Sequence, residues 1–193
     1  MSSQDPLPLK ERLSRRLRRG LLRRFRKNKD GVTAIEFGLV AMPFFTILFA
    51  ILEVSLAFWV TQVLETMVAD AARQVYTGQF QQANAGKNAN ELKTAFKTLV
   101  CSNSAGLFDC QGKLEIDVRR YQSFPGPITS PINASRQMDT DGWGYEDSKA
   151  TQIVVVRAAM EYPIFLSLLN PGTLASGNRL IMATATFRNE PFQ

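Results

Sequence analysis

The hydrophobic pattern of this chain changes period along its length, and each change predicts an element. From Phe37 to Val60 the residues are apolar around the whole helical circumference, with a single charge at Glu53. A helix over that stretch covers roughly 36 Å, enough to cross a hydrocarbon core of about 30 Å. The pattern predicts a transmembrane helix, with Pro43 removing a backbone donor and kinking it. Past Val60 the apolar residues narrow to a stripe at helical spacing: Val60, Val63, Leu64, Met67, Val68, Ala71, Ala72 and Val75. Gln62, Glu65, Asp70, Arg73 and Gln74 take the opposite face. Gly78 is the first plausible stop, so one helix is expected from about Ile35 to Thr77. Its outer half must lay its stripe on a sheet, a neighbouring subunit, or both.

Downstream the periods are shorter. Residues 79–90 are polar and read as a linker. Glu91 to Val100 places Leu92, Ala95, Phe96 and Leu99 on one helical face, with Asn90 as a possible cap. Cys101 to Cys110 reads as a loop. Leu114 to Tyr121 alternates apolar and charged residues, the mark of a half-buried strand whose Glu115 and Asp117 face solvent. Residues 122–149 form a long loop covered by its own Phe124, Trp143 and Tyr145. Thr151 to Tyr162 reads as a central strand. Pro163 to Gly177 reads as a loop or short helix, and Leu180 to Arg188 as a last strand. The expected fold is α+β: a long N-terminal transmembrane and amphipathic helix packed on a small antiparallel β-sheet. The expected segments are a basic leader over 1–31, a membrane helix over 32–60, its amphipathic continuation over 61–78, and an α+β domain over 79–193.

Charge adds a direction to this picture. The 193 residues carry a net +6. Residues 1–31 hold eleven Lys and Arg against three acids, whereas residues 32–193 hold twelve against fourteen. The basic character belongs to the N-terminal segment, so it does not indicate a nucleic-acid-binding domain. Leu9, Leu13, Leu17, Leu21 and Phe25 recur every four residues among the arginines. That suits a basic helix on anionic lipid, or equally a solvated tail that only fixes topology. In both cases the excess of positive charge places the N-terminus in the cytoplasm and the C-terminal domain across the membrane.

The candidate chemistry is sparse. There is no histidine, which removes the commonest catalytic base and metal ligand. No Walker, Gly-rich phosphate or G-x-S-x-G motif occurs. Asp139, Asp141, Glu146 and Asp147 cluster in a Gly-containing loop, but their spacing fails the EF-hand pattern and reads as an acidic turn. An enzyme is not expected, nor a cofactor, a metal, a nucleic acid or a small-molecule substrate. Cys101 and Cys110 form an even pair in the segment expected outside the cytoplasm. A disulfide is the simplest reading; a redox pair lacks the C-x-x-C spacing.

The stretch Gly31-Val-Thr-Ala-Ile-Glu36-Phe37 resembles a prepilin peptidase site: a basic leader, a glycine, then glutamate and an aromatic at the start of the span. The aromatic directly after the glutamate resembles the form in tight-adherence (Flp, type IVb) pilus systems. Glu53 and the following VLETMVADAARQVYTG resemble the TadE-like pseudopilins, and the ending ATATFRNEPF is similar to that family too. The resemblance covers residues 27–78 and touches 179–193. It implies a pilin-like fold and cleavage between Gly31 and Val32. It further implies an inner-membrane pseudopilin that supports pilus biogenesis, adhesion and biofilm, with a prepilin peptidase and other pilins as partners.

Physical reasons fit these residues. Gly31 leaves a scissile bond unhindered. A carboxylate at Glu36, inside the apolar segment, costs roughly 2.5–3.5 kcal/mol on insertion scales and usually faces a partner. A new amine at Val32, on the same chain or a neighbour, is one candidate partner; a snorkelling Glu36 at headgroup level is the alternative. Glu53 reads either as an interfacial carboxylate beside Trp59 or as a helix–helix contact. Two rivals keep much of this topology: signal-peptidase cleavage at Ala69-Asp70-Ala71, and an uncleaved membrane-tethered scaffold or binding module.

Overall fold

The computed structural model describes residues 31–102, 104, 106–124, 126, 128–165 and 174–191. The predicted leader up to Asp30 lies outside the described residues, as do residues 166–173 of the predicted loop between the last two strands. The chain divides into two compact units, Met1–Phe49 and Ala50–Gln193.

Helix α1 runs unbroken through Val32–Tyr76, with Pro43 inside it. In the first unit its large side chains, including Phe37, Leu39, Val40 and Met42, are exposed. Such a surface is stable against lipid tails and costly against water. The helix is long and apolar enough to cross a membrane, consistent with a single-pass membrane protein.

In the second unit the same helix acquires a buried face. Ala57 and Val60 are its first buried side chains, followed by Leu64, Met67, Val68, Ala71, Ala72 and Val75. This is the stripe that the spacing predicts, with Val63 only half-buried at its margin. The helix ends at Gly78, whose φ of 78° is the left-handed conformation that glycine adopts without strain.

Three antiparallel strands face that stripe: β1 (Glu115–Tyr121), β2 (Ile153–Tyr162) and β3 (Arg179–Arg188), in spatial order β1-β2-β3. The register places Val118 opposite Val156, and Ala158 opposite Ala183. Alternation then turns Ile116, Val118, Val154, Val156, Met160 and Ile181 toward one face, where they join the buried α1 residues in a single core. The α+β architecture expected from the sequence, a long apolar helix packed on a small antiparallel sheet, is the one observed.

The connection after Gly78 differs from expectation. It is not a linker: Gln79–Ala83 forms a short helix, α2, and buries Phe80. Helix α3 begins at Ala89, and its cap is Asn88, not Asn90. Asn88 accepts from the backbone of Asn90 and Glu91, while the Glu91 carboxylate accepts from the backbone of Asn88. This reciprocal capping box settles the start of the helix three residues before Leu92, where its apolar face begins. The segment closing on Cys110 is likewise not loop throughout, since α3 reaches Cys101 and Cys110–Lys113 forms a short helix, α4.

The long segment 122–149 is held from below, not only by its own aromatics. Phe124 is exposed, whereas Tyr145 is buried against Phe80 and Phe96, with ring centroids 5.4 and 5.7 Å away. The backbone at Tyr145 also lies parallel to β1. Val118 donates to the carbonyl of Gly144 at 2.8 Å, and Glu146 donates to the carbonyl of Val118 at 2.9 Å. One edge of the sheet is thus closed at its middle. Among the described residues no strand pairs with the outer edge of β3.

Asp117 is not a solvent-facing strand charge. Its side chain is fully buried. Arg119 Nε donates to it at 2.8 Å, Arg157 Nη2 at 2.6 Å and the Gly144 backbone at 3.1 Å. Arg157 is brought there by register, because it stands directly opposite Asp117 on β2. Its Nη1 donates to the Thr129 carbonyl at 2.8 Å, and its guanidinium lies 4.8 Å from the centroid of the Trp143 ring. One carboxylate therefore ties two strands and two points of the long segment together. A buried carboxylate persists only when paired and hydrogen-bonded to this degree.

Candidate functional site

Gly31 opens the described chain, and Val32 begins α1. A β-carbon at Gly31 meets nothing within 4 Å. Val32 and Glu36 are four residues apart, so they share a face with a rise of about 6 Å between them. Glu36 and Phe37 are exposed. Among the described residues Glu36 has no hydrogen-bond or ion-pair partner. A carboxylate set one turn into an apolar helix, with no partner among the described residues, can accept a cation or an N–H donor.

The second predicted pair comes together. Cys101, at the end of α3, and Cys110, at the start of α4, stand at disulfide distance with Cα atoms 5.7 Å apart. Both are buried. The Asp109 side chain accepts from the Gly112 backbone at 2.9 Å and caps the short helix that presents Cys110.

Two sites were not legible in the sequence. Glu53 is one: its Oε1 accepts a hydrogen bond from the backbone N–H of Phe165 at 2.6 Å. The signal was present, since Glu53 is the only charge in the apolar run, but a backbone donor 112 residues away leaves no trace in local spacing. The Asp117 cluster is the other, and finding it needed the β1–β2 register. Glu146, read from sequence as part of an acidic turn, belongs to this cluster through its 2.9 Å contact with Arg119 Nη1.

An open cleft beside the cluster is lined by Arg119, Arg120, Trp143, Glu146 and Arg157, among others. Arg119 and Arg157 are already engaged there by Asp117 and by the carbonyls of Gly142 and Thr129. The cleft is a product of how the long segment is anchored. Among the described residues no group of three or more acidic, His or Cys side chains could hold a metal ion.

No curated protein and no solved structure matches the chain. The segment from the glycine before α1 to the arginine in its last turn, residues 31–73, matches the family model described as TadE-like protein.

Proposed function

We infer that this protein is a pseudopilin-type component of a tight-adherence pilus system, acting in assembly of the fibre and so in adhesion and biofilm formation. The reading is carried by Glu36, which has no partner among the described residues and stands one turn after Val32, inside the segment that matches the TadE-like model. In this reading a prepilin peptidase removes residues 1–31. The new Val32 amine and Glu36, on one chain or between neighbouring chains, then form the contact that couples processing to assembly. The N-terminus is cytoplasmic, by the excess of basic residues before α1. The C-terminal domain is periplasmic, an oxidising compartment in which Cys101 and Cys110 form a disulfide. The role is structural, not catalytic.

The alternative is an uncleaved, membrane-tethered scaffold with the same topology. N-terminal sequencing of the full chain, purified with and without a co-expressed prepilin peptidase, separates the two. The pseudopilin reading expects Val32 as the first residue when the peptidase is present, and expects Gly31→Val to block that change. A chain that keeps residues 1–31 beside an active peptidase supports the scaffold.

A further inference from the structure

The tip that follows β2 is built around an unusual bond. Phe165 donates its backbone N–H to Glu53 Oε1 at 2.6 Å. Its ring nevertheless points away from the core, with 88% of the residue exposed. Pro163 before it is exposed as well.

The depth of this contact follows from α1. A hydrocarbon core of about 30 Å that begins at Phe37 takes up roughly 20 residues of helix and ends near Leu56. Glu53 lies just within that limit. Burial by the domain starts only at Ala57, one turn further on, while Leu52, Val54, Leu56, Phe58 and Trp59 remain about half exposed. The tip thus reaches the helix one turn before its buried face begins, within the length that a hydrocarbon core would cover. A carboxylate at that level needs donors, and a backbone N–H at that level needs an acceptor. The Glu53–Phe165 bond satisfies both, and the ring beside it is left facing outward.

We propose that Pro163–Phe165 is a lipid-contacting tip, with the Phe165 ring seated in the interface of the leaflet nearest the domain and held at depth by Glu53. The occupant is the bilayer itself, because the exposed Phe165 is bonded to Glu53, within the helix length that a hydrocarbon core covers, where the neighbouring Leu52, Val54 and Leu56 are exposed too. Aromatic side chains concentrate at this level of membrane proteins. The domain then has two attachments to the membrane, α1 and the tip, and its tilt on the bilayer is fixed. This inference rests on the membrane reading of α1.

The test uses the full chain in vesicles of phosphatidylcholine and phosphatidylglycerol, with the environment-sensitive dye NBD on a cysteine at one position. Cys101 and Cys110, bonded to each other, do not take the label. Phe165→Cys is compared with Phe45→Cys in the span and with Phe124→Cys, an exposed position in the segment after β1. Spin-labelled lipids quench at a shallow or a deep acyl position. The Phe165 probe is expected to lose emission roughly twofold with the shallow quencher and less with the deep one, as an interfacial group should. The Phe124 probe is expected to be unaffected.

In the Phe165→Cys background, Glu53→Gln retains an acceptor oxygen and keeps the quenching, whereas Glu53→Ala lowers it to the Phe124 level. A Phe165 probe that stays unquenched while the Phe45 probe is quenched overturns the tip and leaves the span intact. Equal quenching at Phe165 and Phe124 also overturns it, since the whole domain would then lie on lipid. If neither Phe165 nor Phe45 is quenched, the membrane reading of α1 falls together with the tip.

Discussion

At the scale of single residues, Tyr145 sits among Phe80, Phe96 and the sheet with its hydroxyl unpartnered among the described residues. Burial, with a smaller contribution from the Asp147 carboxylate, pushes the phenol above its ordinary range. The folded protein therefore holds this proton more tightly than the unfolded chain, whose tyrosines ionise near pH 10. The contribution of Tyr145 to stability is complete below about pH 10 and is lost as pH rises beyond it. Thermal unfolding between pH 8 and pH 11 should show a falling melting temperature, and Tyr145→Phe should flatten part of that fall. At neutral pH the same variant should gain about 1 kcal/mol, because it removes a buried hydroxyl that bonds to nothing. An unchanged alkaline slope would show that the phenol is not the group responsible. None of this was legible in the sequence, where Tyr145 looked like the lid of its own loop. Asp117 was misread for the same reason: in a strand that alternates apolar and charged residues, the second face counts as solvent unless something folds over it.

At the scale of elements, α1 is one helix in two surroundings, and periodicity reported both. The uniform apolar run gave no stripe because the domain does not cover that part, and the stripe after Val60 marked where a core begins. Leu52 and Leu64 provide the comparison, being the same residue type on the same helix, one about half exposed and the other fully buried. Leu64→Ala should lower the stability of the domain by about 2–5 kcal/mol, whereas Leu52→Ala should leave it nearly unchanged. Denaturant unfolding of the detergent-solubilised chain, followed by the fluorescence of Trp143, measures both, and equal losses would contradict the division. The strands were legible as well, to within two residues at their starts. Short elements were not. A five-residue helix with one buried aromatic, Phe80, carries too few positions to show a period, and the capping box at Asn88 and Glu91 acts before the apolar face of α3 that drew attention.

At the scale of the whole molecule, the features tied to function lie where the chain is least self-sufficient. Buried ion pairs close on themselves around Asp117, but Glu36 is left without a partner among the described residues, in the segment that matches the TadE-like model. Glu36→Ala should insert in the membrane as well as the unaltered chain, yet should no longer co-purify with other pilus components. Equal recovery of those components would remove Glu36 from the assembly contact. Glu36 was legible as a candidate, since a lone carboxylate in an apolar run is a local signal.

The sheet adds a constraint of another kind. Its β1 edge is occupied at Val118 by the backbone of Gly144 and Glu146, while among the described residues the β3 edge has no strand beside it. Sheets open on both sides can recruit copies without end, as a row of dominoes grows from either end. A sheet open on one side behaves as a terminator. Two copies joined along β3 would each present a β1 edge interrupted at Val118, which favours a pair over an open row. Were the chain to enter a fibre, this edge would favour growth through some other surface, with the sheets kept from polymerising.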